Sequence, residues 1–428
     1  SSGDMTLPYV PNTDEDRQAM LVTIGVASAE ELFADIPSEF RIAELNLPAA
    51  LSEPELVREL AALAGRSQPV DGMPCFLGGG AYRHFIPSVV GEVIGRSEYA
   101  TAYTPYQAEI SQGTLQTAFE FQSMVCELTA MDVANAGMYD GASALAEACL
   151  TAAGVTGRRR IALLSTVHPH YQAVVRTYAF GRDLAVDVMP PDGLALSEEH
   201  ACLAVQQPNF FGYFLPDVEA VERTAHEAGA LFIVSVDPVS LGLFRPPGDY
   251  GADVVVGEGQ SLGSPLNFGG PYLGLFACRQ QYLRQMPGRI VGRTSDAQGR
   301  SGYVLTLQTR EQHIRRERAS SNICTSQQLV ALAATVYLAA MGKQGLRQVA
   351  ELCYHKAHYA AQRIARLSGY SLAFDGRFFK EFVVRCPRPP SAVNRALLER
   401  GIVGGLDVSQ YVENGLLLCV TEMNTRDE

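Results

Sequence analysis

Lysine is scarce in this chain of 428 residues, which contains only Lys343, Lys356 and Lys380. All three lie in or after a long helical pattern late in the sequence, and none follows a run that predicts a buried strand. A lysine that forms an imine with an aldehyde needs a deprotonated amine in a desolvated pocket. We therefore predict that this chain does not hold an aldehyde through a lysine.

Long basic runs are also missing, and the cluster Arg158–Arg160 is a three-residue exception. The net charge of the chain is −12. This balance argues against nucleic acid or an anionic membrane as the main partner. We find no pattern of a signal peptide or a membrane span. The nine cysteines include no CxxC pair, which is typical of reduced thiols and favours a cytoplasmic location. We predict no metal site.

Hydrophobic residues make up 47% of the chain, enough for a large core with one or two smaller domains beside it. In the central part, short apolar runs alternate with helical patterns, which predicts a mainly parallel sheet with helices on both faces. We divide the chain into an N-terminal helical arm with interface loops (5–112), a large domain (113–342) and a small C-terminal α/β domain (343–428). The predicted strands are 161–165, 185–189, 201–206, 231–236, 253–256, 273–278, 382–385 and 416–420.

A glycine-rich segment, GADVVVGEGQSLGSPLNFGGPYLG at 251–274, is the starting point for the functional interpretation. Asp253–Val256 predicts a buried strand, and the small residues after it allow another group to approach the backbone closely. A loop at the carboxyl end of a buried parallel strand is the usual place for a ligand in α/β proteins. This loop contains no lysine.

Two polar residues, His168 and Asp237, also follow predicted strands. A histidine there can stack on a planar ring, and an aspartate there can keep a pyridine nitrogen protonated. Taken singly, a loop histidine and a turn cap before Pro238 are the simpler interpretations. Upstream, the small-residue turn Gly141–Ser143 opens a helix whose N-terminus can bind an anion. Together these features match what a pyridoxal phosphate (PLP) site requires.

Three further segments leave alternatives open. The triple glycine in FLGGGAYRHFIP at 76–87 predicts either an approach to a ligand or another chain, or a tight crossing between arm and core. The polar and aromatic segment Tyr99–Gln116 is more typical of a site or interface than of a plain surface loop. Ser320–Asn322 open a predicted helix that continues past Leu332, either as an anion site or as an ordinary N-cap.

These motifs resemble the glycine cleavage system P-protein, and more narrowly the first chain of its two-subunit bacterial form. The resemblance covers almost everything from Tyr9 to Glu428. It implies a PLP-dependent transferase type I fold, an α/β fold with a mainly parallel, seven-stranded type of sheet flanked by helices. Its most specific segments are YVPNTDED, FLGGGAYRHFIPSVV, YTPYQAEISQGTLQ, MYDGASALAEA, LTLQTREQHIRRERASSNICT and VTEMNTRDE.

The resemblance implies that the family's cofactor lysine falls at about Gln260, where an uncharged amide cannot form an imine. PLP is then bound covalently by a partner subunit, while Ser143, His168 and Asp237 line a vestigial cofactor pocket. This chain is expected to have no catalytic residue for a site of its own and to complete the partner's site. The residues implied are Tyr103, Tyr106, Gln107 and Ser111 near the substrate or the ring, and Ser321 and Asn322 near the partner's phosphate.

The resemblance also implies a reaction. With subunit 2, as αβ or α2β2, the chain would serve in glycine dehydrogenase (decarboxylating), which releases CO2 from glycine and passes the aminomethyl group to the lipoyl group of H-protein. The chain alone is expected to be inactive. The alternative is a non-catalytic scaffold that only stabilises subunit 2 and docks H-protein. An active homodimeric PLP enzyme that uses another lysine is a third interpretation.

Overall fold

The computed structural model describes residues 11–42, 45–319, 321–323 and 326–428. Contacts divide the chain into a unit that ends at Gln68 and a second unit from Pro69 to Glu428. All residues that the sequence analysis assigns to a site belong to the second unit. The predicted boundaries at 112 and 342 stay predictions.

The first unit contains two α-helices among its described residues, α1 (Asp14–Ile24) and α2 (Glu53–Ala64). Both begin with a capping box, in which the cap hydroxyl and a carboxylate three residues later satisfy each other's backbone amides. In α1, Thr13 Oγ1 accepts the Asp16 amide at 3.2 Å and Asp16 Oδ2 accepts the Thr13 amide at 2.9 Å. Both helices confirm predictions from the sequence.

The second unit contains nine α-helices within its described residues. They are α3 (Ser88–Ile94), α4 (Ser97–Ala100), α5 (Gln112–Thr129), α6 (Gly141–Thr156), α7 (Pro169–Phe180), α8 (Val218–Glu227), α9 (Gln312–Arg315), α10 (Gln328–Ile364) and α11 (Pro390–Leu398).

A seven-stranded sheet, counted over the described residues, has the strand order β1-β7-β6-β5-β4-β2-β3. Strands β2 to β6 are parallel, β7 is antiparallel to β6, and β1 is antiparallel to β7. All of β5 and nearly all of β4 are buried, as expected for a sheet covered on both faces. The strands are β1 (Val133–Ala134), β2 (Arg160–Leu164), β3 (Ala185–Met189), β4 (His200–Gln207), β5 (Leu231–Val236), β6 (Val254–Glu258) and β7 (Gly274–Cys278).

The parallel strands explain how residues distant in sequence meet. The carboxyl ends of β2, β5 and β6 lie along one edge of the sheet, the edge at which doubly wound proteins bind ligands. His168, Asp237 and Gln260 each follow one of these strands within four residues. The alternation of strands and helices in the sequence correctly predicted this arrangement.

Six further strands form two smaller sheets in the part of the chain that the structure describes. One is a hairpin, which the sequence analysis did not predict. The other is an antiparallel sheet in the order β10-β11-β13-β12, whose two central strands match predicted ones. The strands are β8 (Ile290–Ser295) and β9 (Ser301–Thr306) in the hairpin, and β10 (Ser371–Leu372), β11 (Glu381–Arg385), β12 (Leu406–Asp407) and β13 (Gly415–Cys419) in the sheet.

Helix α10 alone, among the described helices, is long and apolar enough to cross a membrane by length and composition. Gly342, at φ 59° and ψ −179°, is non-helical and divides it. The part before the kink, residues 328–341, is shorter than the roughly 20 residues that a membrane span requires. Tyr337 and Cys353, one on each side of the kink, are fully buried in the core. We therefore interpret α10 as a helix of the protein interior.

The start of α10 corrects one prediction. The helix begins at Gln328 and not at Ser320–Asn322, and residues 321–323 are non-helical. Ser321 Oγ accepts the Ile323 amide at 3.1 Å, and such a local side-chain bond competes with helix formation. Of the predicted segment 320–325, Ser320, Cys324 and Thr325 lie outside the described residues.

Candidate functional site

A small cavity lies at the carboxyl ends of the parallel strands, at the predicted position of a cofactor pocket. Its volume is about 30 Å³, which is room for about two water molecules. The residues around it that matter here are Gly80, Tyr82, His168, Asp237, Glu258 and Glu381. The sequence analysis predicted His168 and Asp237 at this place and did not predict the other four.

Lys380 reaches this pocket from the residue before β11. Its ammonium Nζ lies 2.7 Å from Asp237 Oδ2, and the two side chains are 1% and 9% exposed. Burial lowers the pKa of Lys380, but the Asp237 carboxylate together with the nearby Cys419 and Cys353 outweighs burial, so the pKa is raised. Lys380 is therefore a protonated, paired ammonium and not the deprotonated amine that an imine requires.

Asp237 is the turn cap that the sequence analysis considered, and its second oxygen pairs with a cation that is not a pyridine nitrogen. Its Oδ1 accepts the Val239 amide at 3.1 Å and so caps the turn after β5, while its Oδ2 binds a cation. The cation is Lys380 of the same chain. As the sequence indicates, Lys380 does not follow a predicted strand, but the sequence analysis missed that the start of β11 brings Lys380 to the ligand edge of the sheet.

Gln260, at the position that the resemblance gives to the cofactor lysine, is 1% exposed. Its Oε1 accepts the Tyr82 amide at 2.8 Å, and its Nε2 donates to the Tyr82 carbonyl at 2.9 Å and to the Ser264 carbonyl at 2.8 Å. This pairing requires a group that both donates and accepts, which an ammonium cannot do. The amide thus fixes the loop that contains Tyr82 across the end of β6.

His168 caps α7 and holds the triple-glycine loop. Its Nδ1 accepts the His170 amide at 3.1 Å, so we assign the ring proton to Nε2, which donates to the Gly79 carbonyl at 2.8 Å. Gly80 has φ +115°, and a Cβ there would stand 3.4 Å from His168 Nε2. At Gly78 a Cβ would meet Glu381 Oε1 at 2.2 Å. The glycines therefore allow a close approach to side chains of this chain itself.

The N-terminus of α6 is the third predicted part of the pocket. Asp140 caps the helix, because its Oδ1 accepts the Ser143 amide at 2.7 Å while Ser143 Oγ accepts the Asp140 amide at 3.2 Å. The Gly141 amide donates to Glu258 Oε2 at 2.9 Å. Burial raises the pKa of Glu258 to about 7, although backbone amides including that of Gly141 oppose the rise. The anion site predicted at this turn is occupied by two carboxyl groups of the chain.

Glu381 closes the pocket opposite the sheet. Its Oε2 accepts the Tyr82 hydroxyl at 2.7 Å and its Oε1 accepts the Gly79 amide at 2.7 Å. The Tyr82 ring also lies beneath Lys380, whose Nζ is 3.6 Å from the ring centroid, a cation–π arrangement. Burial raises the pKa of Glu381 to about 7, against the lowering effect of these hydrogen bonds.

A chain of buried polar groups continues from the pocket to the C-terminal segment. Lys380 Nζ donates to His84 Nε2 at 3.0 Å, and His84 Nδ1 lies 2.7 Å from Glu422 Oε2. Burial and the nearby Lys380 lower the pKa of His84, so we assign a neutral ring that donates to Glu422. Cys353 Sγ lies 3.4 Å from the same Glu422 oxygen. His84, Cys353 and Glu422 are close enough to hold a metal ion, but their atoms already bond each other.

These contacts decide whether the pocket suits PLP. Asp237 is paired with Lys380, the helix amide with Glu258, and His168 with the glycine loop. The remaining space of about 30 Å³ is far below the ~300 Å³ at which ligand pockets begin. The residues present do not fit the cofactor.

Tyr106 belongs to a second cluster, on the segment that the sequence analysis assigned to an interface. It is 49% exposed, and its hydroxyl accepts a hydrogen bond from Arg289 Nη2 at 2.9 Å. Arg289 Nε lies 3.6 Å from Glu311 Oε2, and these two side chains are 6% and 5% exposed. Arg289 also donates to Thr104 Oγ1 at 3.3 Å. A buried ion pair thus supports a tyrosine that reaches the surface.

Three further residues predicted for the interface, Tyr103, Gln107 and Ser111, lie on the same segment. Tyr103 is 77% exposed and Gln107 is exposed. Ser111 precedes α5 and lines an open surface pocket beside Tyr99 and Thr114. Their assignment to a partner's site stays a prediction.

Ser321 and Asn322 are placed elsewhere. Asn322 is exposed, and Ser321 lies near Glu147 of α6. Burial raises the pKa of Glu147 to about 7, and the nearby Ser321 hydroxyl opposes the rise. The structure thus connects Ser321 to α6, which carries Ser143, and its proposed contact with a partner's phosphate stays a prediction.

Sequence signals existed for some of the residues that we missed. Glu258 is the last residue of β6 and lies just after a predicted strand, within the glycine-rich segment. That position at the ligand edge of the sheet was a signal for a site residue. Lys380 stands in FFKEFVVR, between apolar residues that predict burial of its side chain. Arg289 and Glu311 carry no such local signal.

Solved structures of low sequence identity share this fold. Sphingosine-1-phosphate lyase of Burkholderia pseudomallei is 16% identical with a TM-score of 0.63, over 91% of this chain and 90% of that one. Glutamate decarboxylase of Lactobacillus brevis is 13% identical with a TM-score of 0.63, over 91% and 92%. These likenesses define the class: the chain has the fold of PLP-dependent enzymes of fold type I.

The family follows from nearer relatives. The family model described as glycine cleavage system P-protein matches residues 8–428, so the chain belongs to the glycine cleavage system P-protein family. It is 52% identical to a protein of Thermomicrobium roseum, over 98% of this chain and 97% of the relative, and 54% identical to one of Chlorobium limicola, over 99% and 98%. Both are named probable glycine dehydrogenase (decarboxylating) subunit 1.

A solved structure agrees with these relatives. It is described as glycine decarboxylase (P-protein) of the glycine cleavage system in inhibitor-bound form. The two chains are 44% identical with a TM-score of 0.93, over 98% of this chain and 97% of that one. The resemblance seen in the sequence motifs is confirmed.

Proposed function

We propose that this chain is subunit 1 of a two-subunit glycine dehydrogenase (decarboxylating) and that it completes the PLP site of subunit 2. The observation that carries the proposal is the filled pocket, in which Gln260, at the position that the resemblance gives to the cofactor lysine, bonds Tyr82. A member of a PLP enzyme family with no cofactor site of its own serves that chemistry through a partner. The names of the relatives, subunit 1, support this division of work.

The reaction is the one that the family name implies. Subunit 2 binds PLP covalently, and this cofactor supplies the electron sink that decarboxylation of glycine needs. The aminomethyl group then passes to the lipoyl group of H-protein. We propose assembly as αβ or α2β2 in the cytoplasm, and the free state of all eight described cysteines supports a reducing compartment.

Tyr106 is the residue through which we propose the main contribution of this chain. Its oxygen accepts from Arg289, so its own proton is left to donate to an acceptor in the partner's site. The hydrogen bond from Arg289 orients the hydroxyl, and Arg289 Nε itself lies 3.6 Å from the buried Glu311 carboxylate. A donor that is oriented before substrate binds loses little entropy when it acts. The remaining contributors are Tyr103, Gln107, Ser111, Ser321 and Asn322.

The experiment is to express the chain with a subunit 2 and to compare Tyr106→Phe with the wild type. We expect glycine-dependent release of CO2 to fall at least about tenfold, the equivalent of one hydrogen bond, while the assembled complex is unchanged by sedimentation. Tyr359→Phe is the matched control, because Tyr359 is 43% exposed on α10, away from this cluster. It should keep full activity.

Asn322→Ala provides a second variant on the other proposed segment. If the complexes of both variants assemble and keep full activity, the chain is a scaffold that only stabilises subunit 2 and docks H-protein. If the purified chain alone carries a borohydride-reducible pyridoxyl group and consumes glycine, it is an active enzyme by itself and the proposal is wrong.

A further inference from the structure

At the sheet edge, three features that the sequence analysis gave to a PLP site are bonded to groups of this chain. The helix N-terminus, which would bind a phosphate, donates from Gly141 to Glu258. The aspartate, which would pair with a pyridinium, binds Lys380. His168, which would stack on the ring, bonds Gly79 of the glycine loop.

The replacements make the same kinds of contact. A carboxyl group accepts the helix amide where the phosphate would bind, and an ammonium lies where a protonated pyridine nitrogen would bind. The loss of a charged cofactor alone would leave Asp237 unpaired. Such a buried charge without a partner costs several kcal/mol of stability. The chain avoids this cost with Lys380, which lies 143 residues further along.

The groups that take the place of the cofactor also fill the space that it would occupy. Tyr82 lies between Lys380 and Glu381, and its backbone pairs with Gln260. A Cβ at Gly141 would stand 2.5 Å from the Tyr171 hydroxyl and 3.0 Å from Glu258, so the helix N-terminus is covered as well. Loss of a single lysine would leave the space of the cofactor vacant, whereas here only about 30 Å³ remains.

We propose that this chain has replaced its cofactor with its own groups: Lys380 for the pyridinium, Glu258 for the phosphate, and the loop Gly78–Tyr82 for the ring. The pocket is therefore closed to every form of the cofactor and not only unable to form the covalent bond. This goes beyond the subunit role, and its tests need no enzyme activity.

Pyridoxamine 5′-phosphate distinguishes a filled pocket from a lost lysine, because this form of the cofactor needs no lysine. We measure its binding by calorimetry to the full chain, and to the complex with subunit 2 after borohydride has fixed PLP on the partner. We expect no saturable binding by this chain in either sample. Binding of one molecule per chain would overturn the proposal.

Gln260→Lys restores the amine without opening the space. After incubation with PLP and borohydride, we expect no pyridoxyl group on residue 260 by mass spectrometry, while subunit 2 in the same sample is labelled. A pyridoxyl group at residue 260 would show that the pocket still accepts the cofactor and would overturn the proposal. The pyridoxamine phosphate measurement decides the question if this variant does not fold.

Lys380→Ala tests whether the Lys380 ammonium takes the place of the cofactor's protonated ring nitrogen. The side chain removed beyond Cβ corresponds to n-propylammonium, so we expect this cation to raise the melting temperature of the variant by several degrees and to leave the wild type unchanged. The neutral control is 1-propanol. If the two additives act alike on the variant, Lys380 serves only to fill space and the proposal is wrong.

Discussion

Two buried ion pairs among the described residues of the second unit have opposite surroundings. Lys380 and Asp237 lie 2.7 Å apart with Tyr82 and Glu381 closed around them. Arg289 lies 3.6 Å from Glu311 and leads to a tyrosine that is half exposed. Burial of charge therefore does not by itself mark a functional site. What differs is whether the pair supports a group that another molecule can reach.

This contrast assigns separate work to the two regions. The pocket around Lys380 stabilises the fold and offers nothing to a ligand. The cluster around Arg289 directs a donor outward. Changes in the first region should alter stability and spare the activity of assembled complexes, and changes in the second should do the reverse.

The largest expected effect is that of Lys380→Met. Removal of the ammonium leaves the Asp237 carboxylate buried without its partner, so we expect a loss of about 3–5 kcal/mol in the free energy of unfolding. Urea denaturation of the full chain measures it. Adding Asp237→Asn removes the unpaired charge and should recover much of the loss. A single variant within 1 kcal/mol of the wild type would contradict the contrast.

The next effect is a dependence of stability on pH. The folded pKa of Glu381 is about 7, above the ordinary value of 4.5, so its contribution is full below pH 4.5 and is lost as the pH rises through 7. Glu381→Gln cannot ionise and should gain about 2 kcal/mol relative to the wild type between pH 5.5 and pH 8. Urea denaturation at both pH values measures this difference. Parallel pH profiles would show that Glu381 does not titrate in this range.

The smallest expected effect is that of Arg289→Lys. Lysine keeps the charge beside Glu311, but it lacks the planar fork that reaches both Thr104 and Tyr106. We expect about a tenfold loss of activity in the complex, with little change in unfolding. Arg347→Lys is the control, because Arg347 pairs with Glu351 on the exposed face of α10. Loss of stability without loss of activity would place Arg289 with the structural region.

The sequence predicted those site residues whose positions follow directly from the ends of parallel strands. His168 and Asp237 lie where parallel strands end, and an alternating pattern suffices to infer that. Lys380 could not be assigned in the same way, because its position depends on how β11 packs against the large sheet. No local pattern encodes such a contact, and only the apolar neighbours of Lys380 indicated burial.

Local ambiguity explains the other differences. The triple glycine allowed a ligand or a chain crossing, and the structure favours the crossing because Gly78 and Gly80 approach Glu381 and His168. The serine-rich segment before α10 satisfies the rules for a helix start, yet the helix begins at Gln328. Capping residues also stabilise turns, so their presence alone does not fix where a helix begins.

Lys380 and Tyr82 have a consequence for the history of the protein. A single substitution at residue 260 could restore a lysine. Its side chain would meet space that is already filled, and the Asp237 carboxylate would already be paired with Lys380. Several substitutions would have to arrive together before any of them was useful. The internal ion pair thus opposes a return to an independent cofactor site, so dependence on a second subunit persists.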